Sequence, residues 1–383
     1  MICKRIICVP FLSIVLVCLA GCGGAPGTAL VTSNFCSGCQ FLYATTNSGQ
    51  ILTFREPAPG APGIGTSTSA SGPANSRGLV VGISPDGATP GYLYVSDPQN
   101  SAIRVYTINQ SNGALSPANV GPYPLGSGNG TPGEIVGFGN LLYVAASTGK
   151  IVAFTVNPDG SLTAVAGSPF VAGAGVSHLA VVGSETAGDT TFLYAANSDD
   201  ASGSISAFNI GPDGTLTAVP GSPFPTVQGG GPEGFYGAGK WLYVALKNAG
   251  AVAAFTIADN GSLTPLAGSP FPAGQGTYSI TGVGGVLYAI NNADGTISSY
   301  AMDPFSGSLT TEAGSPFPGA VSAGDALYSN GRIFLPCTSS NAIAGFDVES
   351  ANGMIQALPG SPFPSAAGPI ALTQLGFPVA DPH

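Results

Sequence analysis

Of 383 residues only 9 are basic and 19 acidic, for a net charge of −10, and so few cations exclude a nucleic-acid partner, whose phosphates need clustered Lys and Arg. Gly (58) and Pro (33) reach the level of disordered chains, but hydrophobic residues at 44% call for a buried core. The glycines and prolines therefore read as punctuation between many short strands.

The chain opens with Lys4 and Arg5, an apolar stretch from Ile6 to Leu19 interrupted by Pro10, and then Leu19-Ala20-Gly21-Cys22. The stretch is short for a membrane span, and small residues precede the cysteine. This segment resembles a lipoprotein signal peptide with its lipobox; an uncleaved anchor is the competing reading. The resemblance implies removal of residues 1–21, acylation of Cys22, and a lipidated tether over 22–32 that makes the membrane a partner. The protein is then exported and lipid-anchored in the cell envelope, and Gly23 after the cysteine implies the outer membrane in a Gram-negative cell.

Loss of the signal leaves Cys36, Cys39 and Cys337 besides the acylated Cys22. Cys36-Ser37-Gly38-Cys39 has the spacing of half a metal or redox site, but no second Cys or His pair completes it, so no metal is expected. An oxidising compartment permits a disulfide instead, and the sequence leaves open Cys36–Cys39 or a bridge from either to Cys337.

From here the chain repeats itself. An apolar pair recurs as Leu42-Tyr43, Leu93-Tyr94, Leu142-Tyr143, Leu193-Tyr194, Leu242-Tyr243, Leu287-Tyr288 and Ile333-Phe334. Each pair is followed by a strand-like segment ending in an aromatic, from Ile51–Phe54 through Ile343–Phe346. A turn dipeptide comes next, as in Asn112-Gly113, Asp159-Gly160, Asp213-Gly214 and Asn260-Gly261. Then come a short strand and Gly-Ser-Pro-Phe, beginning at residues 167, 221, 268, 314 and 360. The proline there marks the end of an edge strand.

With an inner strand before each pair, a repeat holds four antiparallel strands at the period of a propeller blade. The segments are too short and too rich in Val, Ile, Gly and Thr for helices. The expectation is an all-β, seven-bladed β-propeller over residues 33–377, with 378–383 as a tail. Residues 369–375 look like an inner strand without a blade of its own and are expected to complete the blade of Leu42-Tyr43, closing the ring.

The quoted units, such as Leu193-Tyr194-Ala195-Ala196-Asn197 with Gly203-Ser204-Ile205-Ser206-Ala207-Phe208 and Gly211-Pro212-Asp213-Gly214, resemble the seven-bladed lactonase family, which includes 6-phosphogluconolactonase, and the related YVTN-type repeats. The resemblance covers nearly the whole mature chain. It implies a possible lactone hydrolase without a cofactor; Ser76-Arg77-Gly78-Leu79 and Ser177-His178-Leu179 resemble the family's inner-strand start.

Lactone hydrolysis needs a base to activate water and a cation or donor for the oxyanion. Aligning the inner strands puts Arg77, Glu134, His178 and Glu233 at or beside the start of successive strands, around one channel mouth. The expected roles are Glu134 or Glu233 as base, His178 as proton shuttle and Arg77 as clamp. One mouth arginine complements a phosphate poorly, so an unphosphorylated sugar-acid lactone is the expected substrate. The competing function is a non-catalytic, monomeric propeller binding an envelope protein or glycan. Gly234 to Lys240 imitates a phosphate loop, but Trp241 stands where Ser or Thr is required. The Asp-Gly turns lack the ligand alternation of calcium loops.

Overall fold

In a computed structural model, the described residues are 40–56, 64–65, 68–82, 91–109, 111–183, 191–199, 203–349 and 353–375. They form seven antiparallel sheets, one for each copy of the repeat. We number the blades by their Leu-Tyr pairs, so that Leu42-Tyr43 lies in blade 1 and Ile333-Phe334 in blade 7. The expected signal peptide, Cys22, the tether, Cys36, Cys39 and the tail beyond residue 375 lie outside the described residues. No helix among the described residues is long and apolar enough to cross a membrane.

Blade 3 shows the construction. Its inner strand Pro132–Phe138 pairs with Leu141–Ala146, which pairs with Lys150–Val156, which pairs with the outer strand Leu162–Ala164. Blades 2 to 7 add a fifth strand of two residues that the repeat did not announce. In blade 3, Phe170 and Val171 return to pair with Ile151 and Lys150. The motif's proline therefore does not end the outer strand, as the sequence suggested: Pro169 lies five residues past Ala164 and directly before the fifth strand. Between the two outer segments, Ser168 Oγ accepts the Ala153 N–H at 2.9 Å, and Ser222, Ser269, Ser315 and Ser361 do the same in blades 4 to 7. The Gly-Ser-Pro-Phe motif thus covers the rest of an edge that would otherwise present bare backbone donors.

Blades stack face to face, so each second strand is covered on both sides. Leu42 and Ala44 pack with Phe334 and Ile343 of blade 7, while Tyr43 packs with Leu93 and Tyr106 of blade 2. The Leu-Tyr pair is thus the contact of one blade with both neighbours, which explains why polar alternation is missing. The tyrosine also staples: Tyr43, Tyr94, Tyr143, Tyr194 and Tyr243 donate their hydroxyls to the carbonyls of Gly113, Gly160, Gly214, Gly261 and Gly307 in the next blade's turn. Gly160 adopts φ +80°, and a Cβ there would lie 2.5 Å from the Tyr92 ring, so the turn needs glycine for both conformation and space.

The ring closes as expected. Pro369–Leu375 pairs antiparallel with Gln40–Thr46, Tyr43 opposite Thr373. Cys337, weighed above as a disulfide partner, is a free thiol. It sits in the second strand of blade 7 at 1% exposure, and its Sγ donates to the Leu335 carbonyl. Gly234 to Lys240 runs along the inner strand of blade 5 into its hairpin turn, so it forms no phosphate loop.

Candidate active site at the channel mouth

The inner strands begin with a common irregularity. In blade 3, Ile135 faces Val144 and Pro132 faces Ala146, so Gly133 and Glu134 share the space opposite Ala145. Ser177 and His178 share the place opposite Ala196 in blade 4, and Glu233 and Gly234 the place opposite Ala245 in blade 5. Tyr278 of blade 6 and Ile370 of blade 1 are the extra residues of equivalent bulges. A bulge releases a residue from the ladder and re-aims its side chain. The repetition thus gathers Glu134, His178, Glu233, Tyr278 and Ile370 from these bulges around one mouth, and Arg77 and Asp325, just ahead of the inner strands of blades 2 and 7, join them there.

All four residues singled out from the sequence therefore belong to one cluster, and its centre is His178, a buried imidazole between two carboxylates. Nδ1 lies 3.0 Å from Glu233 Oε2 and Nε2 lies 3.2 Å from Asp325 Oδ1. Burial by itself would lower the imidazole's pKa, but Asp325 and Glu233 outweigh it and hold the ring well above its ordinary value. The ring is thus a cation, with Nε2 donating to Asp325 and Nδ1 shared between Glu233 Oε2 and Ser177 Oγ, which also lies at 3.0 Å. Glu233, also buried, receives Ser177 Oγ at 2.7 Å and faces Lys247 Nζ at 3.8 Å. Burial would raise its pKa, but the His178 and Ser177 hydrogen bonds and Lys247 bring it below the usual carboxylate value.

Glu134 is placed differently. Its Oε2 accepts the Leu179 N–H at 2.6 Å, tying blade 3 to blade 4. Burial, with Asp325 and Glu233 as like charges nearby, lifts its pKa to about 7 against the pull of His178. Across the mouth, Arg77 Nη1 donates to the Tyr278 hydroxyl at 3.1 Å. The His178 and Tyr278 rings meet edge to face at 5.2 Å.

A cavity of ≈ 460 Å³ opens over this cluster, lined among others by Arg77, Lys247, Tyr278, Asp325, Asn292 and Thr338. Of the four sequence candidates only Arg77 lines it; His178, Glu134 and Glu233 stand behind. A second cavity of ≈ 600 Å³, between the far ends of the inner strands of blades 4 and 5, is lined by residues such as Val182, Phe235 and Tyr236 and offers no carboxylate, imidazole or cation. Among the described residues no cluster suits a metal ion.

Sequence reasoning missed Asp325, Tyr278 and Lys247. A signal existed for two of them. Tyr278 lies nine residues before Leu287, as Glu233 lies nine before Leu242, and Asp325 lies eight before Ile333, as Glu134 lies eight before Leu142. Lys247 follows a second strand and has no counterpart of its charge in the other repeats, so no alignment singles it out.

Residues 142–276 match the family model described as Lactonase, 7-bladed beta-propeller. Over those residues the chain is similar to the lactonase propellers. Its fold is similar to that of a Bacteroides uniformis protein provisionally assigned as a 6-phosphogluconolactonase, at 20% identity and TM-score 0.71, covering 88% of this chain and 100% of that one. A Bacteroides fragilis protein with the same provisional assignment aligns at 18% identity and TM-score 0.70, covering 88% and 98%. The periplasmic gluconolactonase of Pseudomonas aeruginosa aligns at 19% identity and TM-score 0.67, covering 89% and 100%. No curated protein sequence matches the chain. At these identities the likeness establishes the propeller fold, and the chemistry has to be argued from the mouth itself.

Proposed function

We propose that this channel mouth hydrolyses the lactone of a sugar acid or a related hydroxy acid. The observation that carries the reading is the line Glu233–His178–Asp325, two contacts of 3.0 and 3.2 Å, which ends on a carboxylate lining a cavity that also holds Arg77. Asp325 takes the role of base, in place of the glutamates favoured from the sequence. His178 holds its Oδ1, and among the described residues no donor occupies the other oxygen, which is free to orient and deprotonate a water. Glu233 fixes the imidazole from behind, so His178 acts as a positioning cation. Arg77 stands where an oxyanion from the carbonyl needs a positive charge.

An unphosphorylated substrate suits this mouth. Lys247 adds a second cation to the cavity, but it faces Glu233, and Asp325 lines the same space. The provisional 6-phosphogluconolactonase assignments of the neighbours point to a phosphorylated lactone, and the periplasmic gluconolactonase to a plain one. The test is hydrolysis of both types by the full-length protein in detergent, with Asp325→Asn and His178→Ala beside it. Turnover of the plain lactone, lowered about 100-fold or more in Asp325→Asn, is the expected result. Saturable binding of glycans or envelope proteins with no turnover would instead make this a binding propeller.

The same reading puts the protein outside the cytoplasm, acylated on Cys22 and acting as a monomer. Lys4, Arg5, the Ile6 to Leu19 stretch and Leu19-Ala20-Gly21-Cys22 support it. Mass spectrometry of the mature N-terminus should show an acylated Cys22, and Cys22→Ala should leave an unprocessed chain.

A further inference from the structure

Tyr278 stands apart from the other tyrosines of the ring. The stapling tyrosines spend their protons on glycine carbonyls of the next blade, and Tyr300 donates to the Pro272 carbonyl. Tyr278, by contrast, is released by a bulge, is 8% exposed and lines the cavity. A phenol has one proton to give and two lone pairs. Arg77 Nη1 occupies a lone pair at 3.1 Å, and among the described residues no acceptor takes the proton, which is left for the cavity.

Three cations surround this ring. Arg77 bonds its oxygen, His178 packs against it at 5.2 Å, and Lys247 Nζ lies 5.6 Å from the ring centroid. They come from blades 2, 4 and 5, and together they stabilise a negative charge on the phenol oxygen should it lose its proton. Asp325, the proposed base, lines the same cavity. A base for water and an acid for the leaving group on one small substrate is the pair that ester cleavage requires.

We infer that Tyr278 is the acid that protonates the departing alkoxide of the lactone, an assignment that rests on the hydrolase reading above. Water's oxygen bonds to the carbonyl carbon as its proton passes to Asp325. The ring C–O bond then breaks, its electron pair stays on the alkoxide oxygen, and that oxygen takes the phenolic proton. The phenolate is reprotonated with the proton Asp325 gained, relayed through solvent, so lactone plus water gives the hydroxy acid and both side chains return to their starting states. Burial pushes the Tyr278 pKa up to about 12, against the pull of His178. The phenol therefore stays protonated at neutral pH and yet remains a stronger acid than an alkyl alcohol.

Two lactones separate an acid from a merely structural tyrosine. In δ-valerolactone the leaving group is an alkoxide that needs a proton to depart. In dihydrocoumarin it is a phenolate, whose pKa near 10 lets it leave unaided. With full-length protein in detergent, Tyr278→Phe should lower kcat on δ-valerolactone by about 100-fold or more, leave kcat on dihydrocoumarin within about 5-fold, and change neither KM much. Equal losses on the two lactones, or no loss on the alkyl one, would overturn the assignment. If wild-type protein turns over neither, the hydrolase reading itself falls and takes the assignment with it.

Discussion

At the level of single residues, the mouth couples stability to pH. Glu134 has its pKa raised to about 7, so the folded protein holds a proton there that the unfolded chain has already released above the ordinary carboxylate value. Its contribution to stability therefore falls as pH rises from about 4.5 to 7. His178, raised above its ordinary value, acts in the same direction: its contribution is full below about 6.5 and is lost as pH rises through the folded value. Glu233, depressed, works oppositely and only in acid, losing its contribution as pH falls through its lowered value. Glu134→Gln keeps an acceptor for the Leu179 N–H and removes the titration. At pH 8 that variant should melt about 2–4 °C above wild type, with the gap closing near pH 5. A thermal scan across pH checks it, and a constant gap would contradict the burial of that carboxyl.

At the level of elements, two short motifs fasten the blades. The tyrosine staple links one second strand to the next blade's turn, and its cost of removal should depend on whether a partner exists. Tyr143→Phe strands the Gly214 carbonyl and should lower stability by about 1 kcal/mol. Tyr288 is the contrast, because in its blade pair Ser299 Oγ already donates to the Gly353 carbonyl, and among the described residues its own buried hydroxyl has no partner. Tyr288→Phe should therefore be neutral or stabilising, and denaturant midpoints of the two variants decide it. The Gly-Ser-Pro-Phe motif read as a strand end, but it lies past the outer strand and leads into a fifth, which was not legible because a two-residue pairing leaves no periodicity to read.

For the whole molecule, closure is the decisive contact. Tyr43 faces Thr373 and Leu42 faces Gln374 across a junction that joins residues more than three hundred positions apart. Ending the chain after Gly368 removes the inner strand of blade 1. That bares Gln40–Thr46 as an exposed edge of apolar strand and removes Ile370 from the cavity wall. Such a truncation should appear mostly as aggregate on size exclusion, whereas the full chain should not; a soluble, cooperatively melting truncation would show that blade stacking alone holds the ring.

Blade number, strand order within a blade and the closing strand were all readable in the sequence, because each rests on patterns only a few residues long that recur through the chain. Arg77, Glu134, His178 and Glu233 were placed at one mouth for the same reason. Their division of labour was not readable. Whether a mouth residue lines the cavity or stands behind it depends on which of two bulge residues turns inward and on what the adjoining blades place beside it. The mouth residues Arg77, Glu134, His178, Glu233, Tyr278 and Asp325 stand sixteen, eight, fifteen, nine, nine and eight residues before the apolar pair in blades 2 to 7, so insertions in two hairpins blur the count that would have revealed Tyr278 and Asp325. Seven remote segments converge on one axis only when the ring is closed, and only that convergence puts His178 between Glu233 and Asp325 and sets Arg77 on Tyr278.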